Sequence, residues 1–174
     1  RSAVRAGRDA VMTPEASGDG AIADVLLRPL QWQDIPELVS MDLEAFPYDA
    51  WSAETFWSEL ARVPQAAFYV VAARGRRLDG YAGIAYIDSD AHLQTLAVSP
   101  NSQRSGLGRQ LLSVVLAEAI RHGASRCLLE VKIDNLPAIA LYTSVGFTEL
   151  GTRPGYYPGG ETALVLVRDF EEAS

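Results

Sequence analysis

The chain has 174 residues, 48% apolar and 21% charged, which is ordinary globular composition and enough to bury the core of one domain. One cysteine excludes an intrachain disulfide, the scattered histidines exclude a His/Cys zinc site, and no apolar run approaches the 18 residues of a membrane-spanning helix. The net charge of −7 argues against a general basic surface for nucleic acid and suits a cationic partner. Lys132 is the only lysine, so the other 14 basic residues are arginines, a bias that reads as codon usage in a GC-rich genome.

Residues 1–24 are rich in Ala, Gly, Asp and Ser without an apolar period, and are expected to form a disordered leader. They hold no apolar stretch of signal-peptide length, so the cytoplasm is the expected compartment. Residues 25–170 are expected to form a single domain. Its first strand is predicted over 25–30. Ile35, Leu38, Val39, Leu43 and Phe46 then follow a mostly helical period, with Pro36 in the first turn. Ser52 is placed to cap a second helix whose apolar face is Phe56, Trp57 and Leu60, and Pro64 stops it. Strands over 67–73, 80–87 and 92–98, joined by short turns, predict an antiparallel meander. A helix over 107–122 should bury Leu107, Leu111, Val114, Val115, Ala119 and Ile120. A strand over 126–131 follows, then a helix capped by Asn135 and ended by Gly146, and final strands over 147–150 and 162–167. The fold class is mixed α/β.

Residues 98–108 read V-S-P-N-S-Q-R-S-G-L-G, where a strand ends, a glycine-bearing turn follows and a helix begins. Glycines let backbone N–H groups approach an anion, and the helix N-terminus adds positive potential. The segment is not a P-loop, which needs a lysine, and not a dinucleotide fingerprint, because Leu111 stands where a third glycine is required. The remaining pattern is Gln103 or Arg104 followed by Gly106 and Gly108.

Downstream, residues 129–147 read L-E-V-K-I-D-N-L-P-A-I-A-L-Y-T-S-V-G-F, and Tyr156-Tyr157-Pro158 follows. Together, in this order and separation, the segments resemble the GNAT acetyltransferases, and more narrowly the RimI-type subgroup, which acetylates the N-terminal alanine of a small-subunit ribosomal protein. The resemblance covers residues 25–168. It implies a mixed sheet with two splayed central strands, flanked by helices, and acetyl-CoA in the gap. Backbone at Leu96, Ala97 and Val98 would pair with the pantetheine arm, and a Val98 N–H would meet the oxyanion. Backbone at Arg104, Ser105, Gly106, Leu107, Gly108 and Arg109 would hold the pyrophosphate, and Asn135 would lie near the cofactor arm. No metal is implied.

A peptide α-amine titrates near about 8, so roughly a tenth is neutral at pH 7, against a few parts in ten thousand for lysine. Transfer still calls for a base for the amine and an acid for the departing thiolate. Glu130 sits mid-strand among apolar residues, where a carboxylate is costly unless paired, hydrated or used. Strand alternation puts it opposite Cys127, Leu129 and Val131. The resemblance makes Glu130 the general base and Tyr142 the general acid, with Tyr156 and Tyr157 walling the peptide groove. The chain departs from the family pattern at Pro154 and Gly155, where a second arginine and a polar residue are more usual. Cys127 is expected to be a buried structural thiol, and His92 and His122 to stand outside the chemistry.

Residues 30–61 carry Asp34, Glu37, Asp42, Glu44, Asp49, Glu54 and Glu59 and no Lys or Arg. They are expected to be solvated helix faces, with part forming an acidic rim that steers a basic acceptor. The expected partner is the N-terminal peptide of a basic, ribosomal-type protein, with no nucleic acid or membrane contact. Two other readings remain open at this stage: a lysine or small-amine acceptor, and a non-catalytic acetyl-CoA-binding module.

Overall fold

The computed structural model describes residues 5–6 and 25–170. The expected leader lies outside the described residues, except for a two-residue strand, β1 (Arg5–Ala6). Then come β2 (Leu26–Pro29), α1 (Ile35–Ala45), α2 (Ala53–Leu60), β3 (Ala67–Arg74), β4 (Arg77–Ile87) and β5 (Asp90–Val98). They are followed by α3 (Leu107–Arg121), β6 (Arg126–Lys132), α4 (Leu136–Thr143), β7 (Thr148–Arg153) and β8 (Ala163–Asp169). From β2 onward the elements match those the sequence predicts, whereas the sequence does not predict β1. The hairpin turns are tighter, because β3 and β4 pair out to Arg74 and Arg77, and β7 runs on to Arg153 because β8 pairs with it that far.

The main sheet has the order β2-β3-β4-β5-β6-β8-β7, and β1 lies beside β5 at Thr95 and Leu96. In that main path every neighbour is antiparallel except β5 and β6. Those two pair only from Asp90 to His92, opposite Arg126 to Leu128. Beyond that point β5 stays bonded to β4 as far as Val98, and β6 to β8 as far as Lys132, so the sheet opens between them.

A bulge lies beside this opening. Gly83 pairs with Thr95 and Ile84 with Leu93, which leaves Gln94 as the extra residue in β5. Tyr69 donates to Gln94 Oε1 at 2.8 Å, and Thr95 donates to the Tyr81 hydroxyl at 3.1 Å. Both residues therefore face the α1–α2 side, and alternation resumes with Leu96 facing α3. Gly83 makes room for this arrangement, since a Cβ there would stand 2.0 Å from the Tyr69 ring.

Each face of the sheet has its own core. On one side α3 buries Leu107, Leu111, Leu112, Val115, Leu116 and Ala119 against Leu93, Leu96, Leu129 and Val131. Ile120, predicted on that face, is instead half exposed, because the buried stripe runs through Leu112 and Leu116. On the other side Ile35, Leu38, Met41 and Phe56 pack on Tyr69, Val71, Tyr81 and Ala97. Trp57, also predicted as buried face, is exposed and stacks on Trp32 with ring centroids 6.4 Å apart.

Part of the acidic run is used differently from expectation: Glu44, Asp49 and Glu54 are exposed as expected, and the other four are engaged. Asp34 makes a bidentate pair with Arg28, with both contacts at 2.7 Å. Asp42 is fully buried and accepts from the Tyr81 hydroxyl and the Trp51 backbone. Glu37 accepts from the Leu78 backbone N–H at 2.8 Å, and Glu59 holds Arg62 and Tyr69. These four carboxylates tie the first two helices to the sheet, so they form neither solvated faces nor an acidic rim.

Candidate active site

A cavity of about 390 Å³ lies on the α3–α4 face of the opening. Leu96 and Val98 form its wall on β5, and Gly106, Gly108 and Arg109 line it at the start of α3. Gly106 has φ +85°, a left-handed conformation that glycine adopts without strain, and it turns the chain into the helix. Helix geometry leaves the first N–H groups of α3 without intrahelical acceptors. Arg104 also lines the cavity, with φ +61°. The Arg109 guanidinium reaches across to Ser144 Oγ at 2.7 Å and bridges α3 to the end of α4.

Three of the predicted binding positions, Ala97, Ser105 and Leu107, do not line the cavity. The Leu107 side chain is buried in the core, Ala97 belongs to the opposite core, and the Ser105 hydroxyl donates to Ser102 O at 2.7 Å. Asn135 caps α4, accepting from Ala138 N at 3.3 Å, and also lines the cavity. Ser102, Gln103, Pro137, Ala138 and Leu141 complete the wall. Except for Gln103, named in the glycine-loop pattern, sequence reasoning missed them as lining residues. Pro137, Ala138 and Leu141 come from the first turns of α4, and only the capping by Asn135 hinted at their position.

Tyr142 also lines the cavity. It is fully buried, packed edge-on against Phe147 at 5.9 Å, and its hydroxyl has no hydrogen-bond partner among the described residues. Burial pushes its pKa well up, so it keeps its proton throughout the working pH range. A buried hydroxyl is normally paired, and an orphaned one lining a cavity is suited to a ligand atom.

Glu130 stands on the other face of the sheet, as strand alternation requires. It is 6% exposed and pairs with Arg153 Nη1 at 3.2 Å. Burial raises its pKa and Arg153 lowers it, with burial prevailing. Tyr157 is buried nearby, under Lys132 Nζ at 5.1 Å from the ring centre, and Lys132 itself pairs with Glu161 at 2.6 Å. Tyr156 packs edge-on against Tyr157 at 5.2 Å. The Tyr157 phenol is held protonated by burial, with further contributions from the fields of Tyr156, Glu130 and Asp49. Glu130 thus stands on one face of the sheet with Lys132 and the Tyr157 ring beneath it, and the cavity lined by Tyr142 lies on the other.

Cys127 is fully buried on the α3 face and its thiol is pushed up to about 12 by burial, so a thiolate nucleophile does not form there. His122 stacks on Tyr86 with centroids 3.7 Å apart. Among the described residues no three His, Cys, Asp or Glu side chains cluster as a metal site, and no helix is long and apolar enough to cross a membrane.

The acetyltransferase (GNAT) family model matches residues 32–147. The chain belongs to this family. An uncharacterized protein of Mycobacterium leprae is 36% identical over 83% of the chain, and the chain spans 40% of that relative's length. The N-alpha-acetyltransferase RimI of Mycobacterium tuberculosis is 39% identical over 72% of the chain and 80% of its own length. The crystal structure of the ribosomal-protein-S18-alanine N-acetyltransferase from Escherichia coli superposes with a TM-score of 0.76 at 30% identity, covering 86% of this chain and 96% of that one. Acetyl-CoA is the acetyl donor of GNAT enzymes. The donor fits the residues present here, because a glycine-led helix start, Arg104 and Arg109, and an orphaned phenol line one cavity.

Proposed function

We propose that this chain transfers the acetyl group of acetyl-CoA to the N-terminal α-amine of a protein, preferably one beginning with alanine or another small residue. The observation that carries the reading is the division of the site by the sheet. The cavity and the Tyr142 hydroxyl lie on one face, and the Glu130 carboxylate lies on the other, beside the same opening. A donor entering from the first face and an amine from the second meet without a covalent enzyme intermediate.

In this reading the backbone of residues 104–109 holds the pyrophosphate and that of Leu96, Ala97 and Val98 aligns the donor's arm. Strand β1 pairs with the same edge at Thr95 and Leu96, so this reading requires the donor's arm to displace it there. The Val98 N–H meets the carbonyl oxygen as charge develops on it. Glu130, acting through a water, takes the proton from the attacking amine. Its raised pKa strengthens it as a base near neutral pH. Carbon–nitrogen bond formation expels the thiolate, and Tyr142 gives it a proton. Asn135 borders the donor's arm. Tyr156 and Tyr157 wall the acceptor side, and a small first side chain suits a mouth narrowed by two aromatic rings. Support for the alanine acceptor comes from the E. coli structural neighbour, a ribosomal-protein-S18-alanine N-acetyltransferase. A basic ribosomal protein then supplies the N-terminal peptide, in the cytoplasm.

The test uses an Ala-initiated basic peptide with one internal lysine, and a second copy with its N-terminus blocked. Tandem mass spectrometry locates the acetyl group. The reading expects modification of the free α-amine and almost none of the blocked copy. Comparable acetylation of the blocked copy at lysine overturns the N-terminal assignment. No thiol release with any amine overturns the catalytic one.

A further inference from the structure

Arg153 is a residue that neither the glycine loop nor the helix α4 motif accounts for. It ends β7, the edge strand of the sheet, and pairs with Glu130 through a single contact at 3.2 Å. The two partners differ sharply in exposure, since the Glu130 side chain is 8% accessible and that of Arg153 56%. The guanidinium also lies over the Tyr156 ring, 5.7 Å from its centre. Arg153 therefore has a second seat that does not involve the carboxylate. A one-point pair with a half-exposed cation on an edge strand exchanges readily, whereas a bidentate buried pair does not.

We propose that Arg153 is a positioning residue for the transfer: it holds the Glu130 carboxylate aimed at the acceptor side of the opening and releases it onto the incoming amine while staying on Tyr156. The proposal rests on Glu130 being the base. Two consequences follow from the charge of Arg153. A cation beside a dehydrated carboxylate keeps it ionised, so the base is ready below neutral pH. The same cation, a few ångströms from the arriving ammonium group, favours its neutral form by like-charge repulsion.

The other titratable or charged groups around Glu130 are few among the described residues. Tyr157 stays protonated, Lys132 is paired with Glu161, and Asp49 lies on the loop after α1. His92 of β5 also feels Arg153, and its pKa is lowered chiefly by burial. It is the group whose titration can imitate that of Glu130.

The experiment compares Arg153→Met and Arg153→Lys with the unaltered chain, reading kcat/KM for an Ala-initiated peptide from pH 5.5 to 9. Taking the ratio of variant to unaltered chain cancels the titration of the peptide amine. With the proposal, the Arg153→Met ratio at pH 6 is roughly three- to ten-fold lower than at pH 8.5, as expected for removal of a half-screened cation beside a carboxylate. Arg153→Lys restores most of the ratio. The pH-dependent deficit persists in a His92→Gln background and disappears in a Glu130→Gln background. A ratio that stays flat across pH, with a normal melting temperature, shows that Arg153 only supports β7, and overturns the proposal. A deficit that disappears with His92→Gln overturns it as well. An acid limb in Glu130→Gln identical to that of the unaltered chain shows instead that the base itself is misassigned.

Discussion

Replacing Tyr142 with phenylalanine is expected to raise stability while lowering activity. The side chain is fully buried and its hydroxyl has no partner among the described residues, so the substitution removes one oxygen and leaves the ring's packing on Phe147 in place. Burying an unpaired hydroxyl costs roughly 1–3 kcal/mol on the protein mutational scale. Taking the lower end, the ligand-free variant gains about 1 kcal/mol, or roughly 2–4 °C in Tm for a chain of this size. The same change deletes the proton donor for the leaving thiolate, so kcat falls by roughly 10²-fold, within the usual range for one acid–base group. Affinity for acetyl-CoA changes little, because the cavity keeps its shape. The assays are scanning calorimetry without ligand, titration calorimetry with coenzyme A, and kcat by thiol release. A variant that melts lower than the unaltered chain refutes the orphaned hydroxyl. A variant with normal kcat, in an assay limited by chemistry, makes Tyr142 a packing residue.

Two further substitutions separate the helix start from the sheet opening. At Gly108 a Cβ would meet Leu141 at 3.5 Å and Val98 at 3.7 Å, which is ordinary contact. Gly108→Ala is therefore expected to fold normally, and Gly108→Asp to fold but bind acetyl-CoA at least about tenfold more weakly, because its carboxylate repels the pyrophosphate at the helix N-terminus; equal affinities by calorimetry would remove the phosphate role. At Gly83 the added Cβ would collide with the Tyr69 ring, which reaches the bulge residue Gln94, so Gly83→Ala should cost about 1–3 kcal/mol in denaturant unfolding and weaken acetyl-CoA binding as well. Normal affinity in the destabilised variant would disconnect the bulge from the donor site.

Local features of the site were legible in the sequence, and long-range ones were not. Gly106 and Asn135 announce themselves because a left-handed turn and a helix cap each restrict the residue type at a single position. Glu130 stood out because a carboxylate in an apolar strand needs a reason. Its partner Arg153 did not, since the two meet only through the pairing of β6 and β7 with β8. The bulge is not legible in H-L-Q-T-L-A-V because its causes lie on other strands, where Gly83 and Tyr69 meet β5 at Gln94. The acidic run misled for the same reason. The groups that engage Asp34, Asp42 and Glu37 are Arg28, the Tyr81 hydroxyl and the Leu78 amide, which lie on β2 and β4, outside the run.

The central claim is that donor and acceptor reach one opening from opposite faces of the sheet. A bisubstrate conjugate tests it, with coenzyme A joined through a two-carbon linker to the α-nitrogen of an Ala-initiated basic peptide. Titration calorimetry compares it with coenzyme A alone and with the same linker on a lysine side-chain nitrogen of the N-terminally blocked peptide. If the faces communicate through the opening, the α-linked conjugate binds roughly 10²- to 10⁴-fold more tightly than coenzyme A, because the second contact becomes intramolecular. Affinity no better than that of coenzyme A, or equal gains from both linkages, would contradict the account.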